Sequence, residues 1–461
     1  METATLNRRV DVLSDSLRKF VRRGARSNIS RMLGKVRPED VAAGLKGLDP
    51  EERLEVFRIL NDDYPDAAGE VLVELEGSQL LEVMESLEPT EIAPILERIP
   101  VDDAVWVVDA LSDEVQQKVL EIVDLEKLTE VQAQLAYDED SAGRVMDTEF
   151  LALPETTTVQ EAIQRIQADQ EMENVFYLYV VDKDDHLVGV TSLRQLLLTR
   201  PQRTLGEIMK RSVIKANVDT DQEEVAQLAA RYDLLAIPVT DDRNRLVGIV
   251  TVDDIIDIFK EEATEDFLRM VGSTGNELLY QDRPLRVVGI RLPWLFFNLV
   301  GGVVTGTLLH RFQVSFSEAL FLLAFVPVVM GMGGNIGSQT STITVRGLAT
   351  GRISPGQGRI RRFLWQQGKV GALLATICAL VIAPAALLLE RNPWYAAVVA
   401  CSLFLAMLMA SLTGVLIPVL FQRLNIDPAV ASGPLVTTGN DITGILIYFG
   451  LAGALIGLLV R

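Results

Sequence analysis

Apolar residues dominate five long stretches near the end of the chain: Leu292–Leu309, Ala319–Ile343, Phe363–Leu389, Trp394–Phe421 and Ala429–Val460. A membrane-spanning helix needs about 20 predominantly apolar residues, so these stretches predict five spans. Upstream the pattern is different. From Pro38 to about Leu135, short apolar-periodic segments follow helix-start signals: Asp49-Pro50-Glu51-Glu52, Glu88-Pro89-Thr90-Glu91, Pro100-Val101-Asp102-Asp103 and Ser112-Asp113-Glu114. Proline at the first helical position, with acids in the first turn, opens a helix. Many short helices joined by tight turns predict a solenoid-like stack of hairpins.

Between these regions, from about Gly143 to Phe259, one unit occurs twice. The first copy reads VMDTEFLALPETTTVQEAIQRIQ and then YLYVVDKDDHLVGVTSLRQLL; the second reads IMKRSVIKANVDTDQEEVAQLAA and then LAIPVTDDRNRLVGIVTVDDII. Each predicts a short strand, a helix and a strand–turn–strand. Val188-Gly189-Val190 overlays Val247-Gly248-Ile249. The expected fold is therefore multidomain. A basic arm (1–35) precedes an acidic α-helical N-domain (36–140). A tandem α/β pair (141–259) and a connecting helix (260–285) lead into a transmembrane domain of five helices (286–461).

Charge sharpens this division. The net charge is -20, yet from Arg283 onward there are only four acids, Glu318, Glu390, Asp427 and Asp441, against 13 Lys and Arg. Everything before is strongly acidic, which argues against a nucleic-acid partner. The N-terminus has no long apolar run and no cleavage site, so it reads as a basic arm able to meet anionic lipid, and more simply as a solvated tail. Cys378 and Cys401 lie in apolar segments and suggest neither a disulfide framework nor thiol chemistry. Arg346, Arg352, Arg359, Arg361 and Arg362 crowd the loop between spans two and three, and Arg283, Arg286 and Arg291 precede span one. The positive-inside rule then puts the N-terminal domains in the cytosol of a multi-pass inner (plasma) membrane protein, with the C-terminus outside.

Asp441 does not fit its surroundings. It sits in the fifth span with no basic residue in the same segment. A carboxylate there costs at least ~2.5 kcal/mol on insertion scales. Either it stays protonated or pairs with a neighbouring helix, or it is a cation site on a permeation path. The second span carries Gly334, Asn335 and Gly337 in PVVMGMGGNIGSQTST, and the fifth carries Pro434, Thr437, Thr438 and Asn440. Such groups either glue helices together or line a wet path. Their concentration in spans two and five selects those two as the lining. On the connecting helix, Asp257, Glu261 and Glu265 share one face and Glu262 and Asp266 an adjacent row. Like charges at this spacing cost ~0.2–0.5 kcal/mol per pair, so solvent or a cation must offset them.

At these residues the chain resembles the MgtE family of magnesium channels over nearly its full length. PVVMGMGGNIGSQ and DPAVASGPLVTTGNDITG resemble that family's second- and fifth-span signatures, and the internal repeat resembles a tandem pair of CBS domains. The resemblance implies a homodimer whose pore lies on the two-fold axis, with Asp441 at the ion-binding position. It implies a plug role for the connecting helix and regulatory Mg²⁺ at Asp254, Asp257, Glu262, Glu265 and Asp266, with Asp102 and Asp103 as N-domain candidates. CBS pairs often hold an adenine nucleotide. In that family a Thr or Ser followed three residues later by Asp contacts phosphate and ribose. Thr251 and Asp254 match this, whereas Thr191 is followed by Arg194, so at most one complete ATP site is expected. The expected function is Mg²⁺ import, closed by cytosolic Mg²⁺ and open to modulation by ATP. A CBS-regulated transporter for another divalent cation or solute is the alternative. An anion site would want Arg, Lys or helix N-termini. Aspartyl hydrolysis would want two adjacent carboxyls, and only Asp441 is deep in the membrane. The chain is therefore read as a non-enzyme, with a dyad of two Asp441 residues across a dimer left open.

Overall fold

The computed structural model describes residues 2–75, 78–111, 113–168, 176–274, 284–315, 317–350, 353, 359–424, 426–431 and 433–459. Residues 275–283 of the expected connecting segment, and Arg352 in the basic loop, lie outside them. The chain divides into two compact units, Met1–Lys260 and Glu261–Arg461.

The first unit begins with the helix Glu2–Val21. This part of the expected basic arm is docked: Leu17 is fully buried, the Ser14 hydroxyl donates to the Gly44 carbonyl at 2.8 Å, and Arg22 pairs with Glu52 at 3.0 Å. The helices that follow are short and alternate in packing. Pro38–Lys46 packs on Pro65–Val73, Pro50–Asp63 on Ser78–Ser86, and Pro65–Val73 on Pro89–Leu96. Prolines 38, 50, 65 and 89 open their helices as the sequence predicts. A capping box closes one start, with the Glu88 amide donating to Glu91 Oε2 at 2.9 Å. Phe57, Leu72, Ile92 and Val107 lie in the continuous core that this stacking buries.

The repeat then builds two three-stranded sheets with the same order. Strands β1 (Ala152–Pro154), β2 (Tyr177–Val181) and β3 (Leu187–Ser192) form one; β4 (Ala216–Asn217), β5 (Ala236–Thr240) and β6 (Leu246–Thr251) form the other. In each, the first pair is parallel and the second antiparallel. The overlaid glycines hold matching places, Val180 opposite Gly189 and Val239 opposite Gly248, each followed by a register shift.

The start of each copy crosses to the other. Asp147 exchanges both backbone hydrogen bonds with Ile249 of β6, and Lys210 exchanges both with Val190 of β3. Met146 fills the space above Gly248, and Met209 fills that above Gly189. The pairing also corrects one detail of the sequence overlay. Ser192 pairs with Tyr177 as Thr251 pairs with Ala236, so Ser192, not Thr191, is the counterpart of Thr251. Three residues on stands Gln195, whose amide donates to the Ser192 hydroxyl at 3.2 Å. The first copy still lacks the acid, at Gln195 and not at Arg194.

In the second unit, five helices are long and apolar enough to cross a membrane: Pro284–Phe312, Phe321–Ala349, Arg359–Leu389, Pro393–Arg423 and Pro434–Ala454. We refer to them as spans one to five. Tyr448, Phe449, Leu403 and Met407 anchor their shared core, and the Tyr448 hydroxyl donates to the Leu322 carbonyl at 2.9 Å. Spans two and four meet backbone to backbone. A Cβ at Gly414 would lie 2.7 Å from the Gly337 carbonyl oxygen and 3.2 Å from the Ser341 nitrogen. Neither atom is the end of a flexible side chain, so the helices must separate to admit it. Gly414→Ala is expected to destabilise the membrane unit by about 1–3 kcal/mol, measured as a lower Tm of the detergent-solubilised protein. An unchanged Tm would mean that this contact does not set the helix spacing.

Candidate functional site

Two sites emerge, one in each unit. In the first, carboxylates from three separate segments converge. Asp102 and Asp103 occupy the first turn of the helix Val101–Asp109. Asp147 arrives through the crossover just described. Asp253 and Asp254 open the helix Val252–Met270, directly after β6. The Thr251 hydroxyl donates to Asp254 Oδ2 at 2.6 Å and also contacts Asp253, while the Thr251 amide donates to Asp254 at 3.0 Å.

Burial, with neighbouring carboxylates adding to it, pushes Asp102 up to about 8, Asp103 to about 6 and Asp254 to about 7. Asp147 rises for the same reasons. Lys127 opposes the rise at Asp103 and Asp147; its Nζ donates to the Ile99 carbonyl at 2.5 Å, just ahead of the Asp102 helix. Asp102 Oδ1 is buried with no hydrogen-bond partner among the described residues. An all-oxygen, all-anionic donor set with an unsatisfied oxygen suits a hard dication. The donor chemistry is that of a hard dication such as Mg²⁺, but the oxygens of no three of these aspartates lie within 4.8 Å of one another, so the cluster is open and not a closed ligand shell. The Thr251–Asp254 pair is bonded internally and lies beside this acidic cluster.

In the second unit, a cavity of about 360 Å³ surrounds Asp441. Span five contributes Pro434, Thr437, Thr438 and Asp441, and span two contributes Met330 and Ser338. Asn298, Gly301, Gly302 and Thr305 form a third wall from span one. Their spacing puts them on one helical face. The Thr438 hydroxyl donates to Asn298 Oδ1 at 2.9 Å, tying spans one and five together.

Met270 and Val271, at the end of the connecting helix, complete the lining. Two features hold that end in place. A Cβ at Gly433 would lie 2.2 Å from the Met270 carbonyl oxygen, so only glycine allows the approach. Arg269 bridges Glu265 of its own helix to Asp427, which precedes span five and caps the turn Pro428–Ala431 by accepting from the Ala429 amide at 2.8 Å. Asp266 lies beside these groups; burial and then Asp427 push it up to about 6.

Comparison with known proteins decides the family. Residues 326–451 match the family described as MgtE, divalent cation transporter; residues 36–140 match the MgtE intracellular N domain; residues 142–200 and 205–261 match CBS domains. Magnesium transporter MgtE of Bacillus subtilis is 34% identical, over 95% of this chain and 96% of its own. That of Thermus thermophilus is 37% identical, over 96% and 98%. The chain belongs to the MgtE family. The cytosolic domain of the Mg²⁺ channel MgtE, solved in complex with ATP, is similar at 36% identity and a TM-score of 0.50, covering 53% of this chain and 99% of that one. MgtE relatives are magnesium transporters, and the multidomain fold expected from the sequence is the fold observed.

Against this MgtE architecture the individual residues sort unevenly. Asp441, Pro434 and Thr437 share the cavity. Gly334 sits behind Thr437, and Gly337 receives Asn440. Asn440 is buried away from the lining: its Oδ1 accepts from the Thr413 hydroxyl at 2.8 Å, and its Nδ2 presses on Gly337. Asn335 is exposed on span two and is not part of the lining.

On the connecting helix, Asp257 pairs with Lys260 at 2.6 Å and Glu265 with Arg269. Two acids of the crowded rows are thus offset within the helix itself. Glu262 is half-buried there, in the turn before Asp266. Sequence reasoning missed Asp147, Asp253 and the whole span-one wall. Spans two and five alone were selected as the lining, whereas Asn298 and Thr305 were the available signal for span one.

Proposed function

We propose that this chain is a Mg²⁺-selective channel that imports the ion and is closed by cytosolic Mg²⁺. The observation that carries the reading is the cavity at Asp441, closed on one side by the end of the connecting helix. The cargo suits the site. Mg²⁺ dehydrates reluctantly, keeps several waters and is usually held by one or two carboxylates. With Mg–O distances near 2.1 Å and a water radius near 1.4 Å, the six-water ion fills roughly 180 Å³. A cavity of about 360 Å³ admits one such ion with its waters. Pairing two chains about a two-fold axis would bring two Asp441 carboxylates to one path.

Residues 36–259 sense, residues 260–285 couple and residues 286–461 conduct, with the N-terminal domains in the cytosol and the C-terminus outside. Asp102, Asp103, Asp147, Asp253 and Asp254 repel one another when unscreened. A bound dication supplies the charge that lets them stay together. Asp266, Glu265 and Asp427 stand at the cavity end of the same helix that begins with Asp253 and Asp254. The helix Val252–Met270 is the proposed coupling element. ATP, with which the similar cytosolic domain was solved, is proposed to modulate closure through Thr251 and Asp254.

Proteoliposomes loaded with a Mg²⁺ indicator test the reading. Mg²⁺ should enter down its gradient, and raising Mg²⁺ on the side of the soluble domains should cut the initial rate at least about tenfold. Closing and opening of this size needs only ~1.4 kcal/mol of differential binding. Flux that ignores Mg²⁺ on that side would overturn the gating, and absent Mg²⁺ flux would overturn the channel.

A further inference from the structure

The start of span three carries a face that the transport reading leaves unused. Arg361, Arg362, Trp365 and Lys369 are exposed, and the same stripe continues through exposed Leu373, Ile377 and Leu380. Trp365 stands four and three residues from the two arginines, and each later member follows three or four residues on, so they lie along one side of the helix. Trp365 is 68% exposed, and the Lys369 ammonium lies 5.5 Å from the centre of its ring. At 1.5 Å per residue, Lys369 sits about 11 Å along the helix from Arg362. Its ammonium is therefore drawn back over the indole toward the arginines, as an interfacial lysine snorkels.

None of Arg361, Arg362 and Lys369 has a carboxylate partner among the described residues. Three cations without a carboxylate partner and one exposed indole share this end of the span, the composition that suits a lipid headgroup. The apolar stripe below matches an acyl chain in direction and character. Aromatic residues belong at this depth, and juxtamembrane cations attract anionic headgroups.

We propose that Arg361, Arg362, Trp365 and Lys369 bind an anionic phospholipid, its phosphate between the arginines and Lys369 and one acyl chain along Leu373, Ile377 and Leu380. Charge complementarity selects this occupant. A second copy packing its spans here would have to bring acids to the face, and from Arg283 onward the chain has only four: Asp427 is paired to Arg269, Asp441 lines the cavity, and Glu318 and Glu390 lie at the ends of spans two and three remote in sequence from Arg361. The assignment needs only membrane insertion and does not depend on which ion is carried.

The test uses the full chain in nanodiscs of phosphatidylcholine containing dibrominated phosphatidylglycerol or, at the same mole fraction, dibrominated phosphatidylcholine. Quenching of Trp365 is taken as the signal lost in Trp365→Phe. Each cation near an anionic surface is worth about fivefold in affinity. The brominated phosphatidylglycerol should therefore occupy the site at least about tenfold more strongly. Arg361→Gln/Arg362→Gln/Lys369→Gln should bring the two lipids to parity. If that variant does not yield monodisperse protein, Lys369→Gln alone should lower the preference by about fivefold. Equal quenching by the two lipids in the unmodified protein overturns the proposal. So does a preference that survives the substitutions, or a substitution that changes the oligomeric mass and leaves the lipid preference intact.

Discussion

Mg²⁺ flux is expected to fall by about a hundredfold or more in Asp441→Asn, and equally in Asp441→Ala. The carboxylate lines the cavity on span five, and no basic residue shares its segment. Its counter-charge in the proposed mechanism is the passing ion. At an effective dielectric constant of about 20, unit charges ~4 Å apart interact by about 4 kcal/mol, and a dication doubles this. If only a third survives as net stabilisation, the loss is ~2.7 kcal/mol, or about a hundredfold. Asparagine keeps the shape and removes the charge, so agreement between the two variants isolates the charge. The measurement is initial flux into proteoliposomes at matched insertion. Flux that persists in Asp441→Asn would make the residue a structural acid and remove the conduction path proposed here.

The second large effect concerns the sensing cluster. Asp102→Asn/Asp254→Asn should abolish the Mg²⁺ dependence of the contact between the N-domain and the CBS pair. Five carboxylates crowd this contact in the native chain, and burial together with their mutual repulsion raises Asp102, Asp103 and Asp254 to about 8, 6 and 7. Removing two charges relieves the repulsion that Mg²⁺ otherwise screens. The double variant should therefore resist limited proteolysis equally with and without Mg²⁺. In the native protein, protection should need Mg²⁺ and show a midpoint. A midpoint retained within about threefold would place the sensor elsewhere.

Protons should act in the same direction as Mg²⁺. An unfolded aspartate titrates near 3.8, whereas these folded carboxyls titrate near 6 to 8, so the folded contact binds more protons. Its stability is greatest at low pH and is lost as pH rises through 6 to 8. Mg²⁺-free native protein should therefore be better protected at pH 6 than at pH 8, and the double variant should lose most of that difference.

Much of this protein is written locally. Five spans follow from the length and apolarity of their segments, and the helical stack follows from proline-led starts at Pro50, Pro65 and Pro89. The tandem pair follows from an internal repeat whose glycines hold equivalent registers at Gly189 and Gly248. Asp441 was conspicuous because one charge in an apolar run is costly wherever the run ends up. These are properties of neighbours along the chain, and a sequence carries them directly.

The tertiary structure decided which of those residues meet. Asp147 joins Asp253 and Asp254 only because each CBS copy begins against the other's sheet, a pairing that spans about a hundred residues. Arg269 reaches Asp427 across 158 residues. Span one becomes a wall of the cavity, and Asn440 turns from it, because each helix's rotation about its own axis is set by contacts such as Thr438 with Asn298 and Asn440 with Gly337. Composition identifies a polar residue in a span. Which side of the helix faces water, and which faces another helix, depends on close packing among segments distant in sequence, and that is fixed only when the whole bundle assembles.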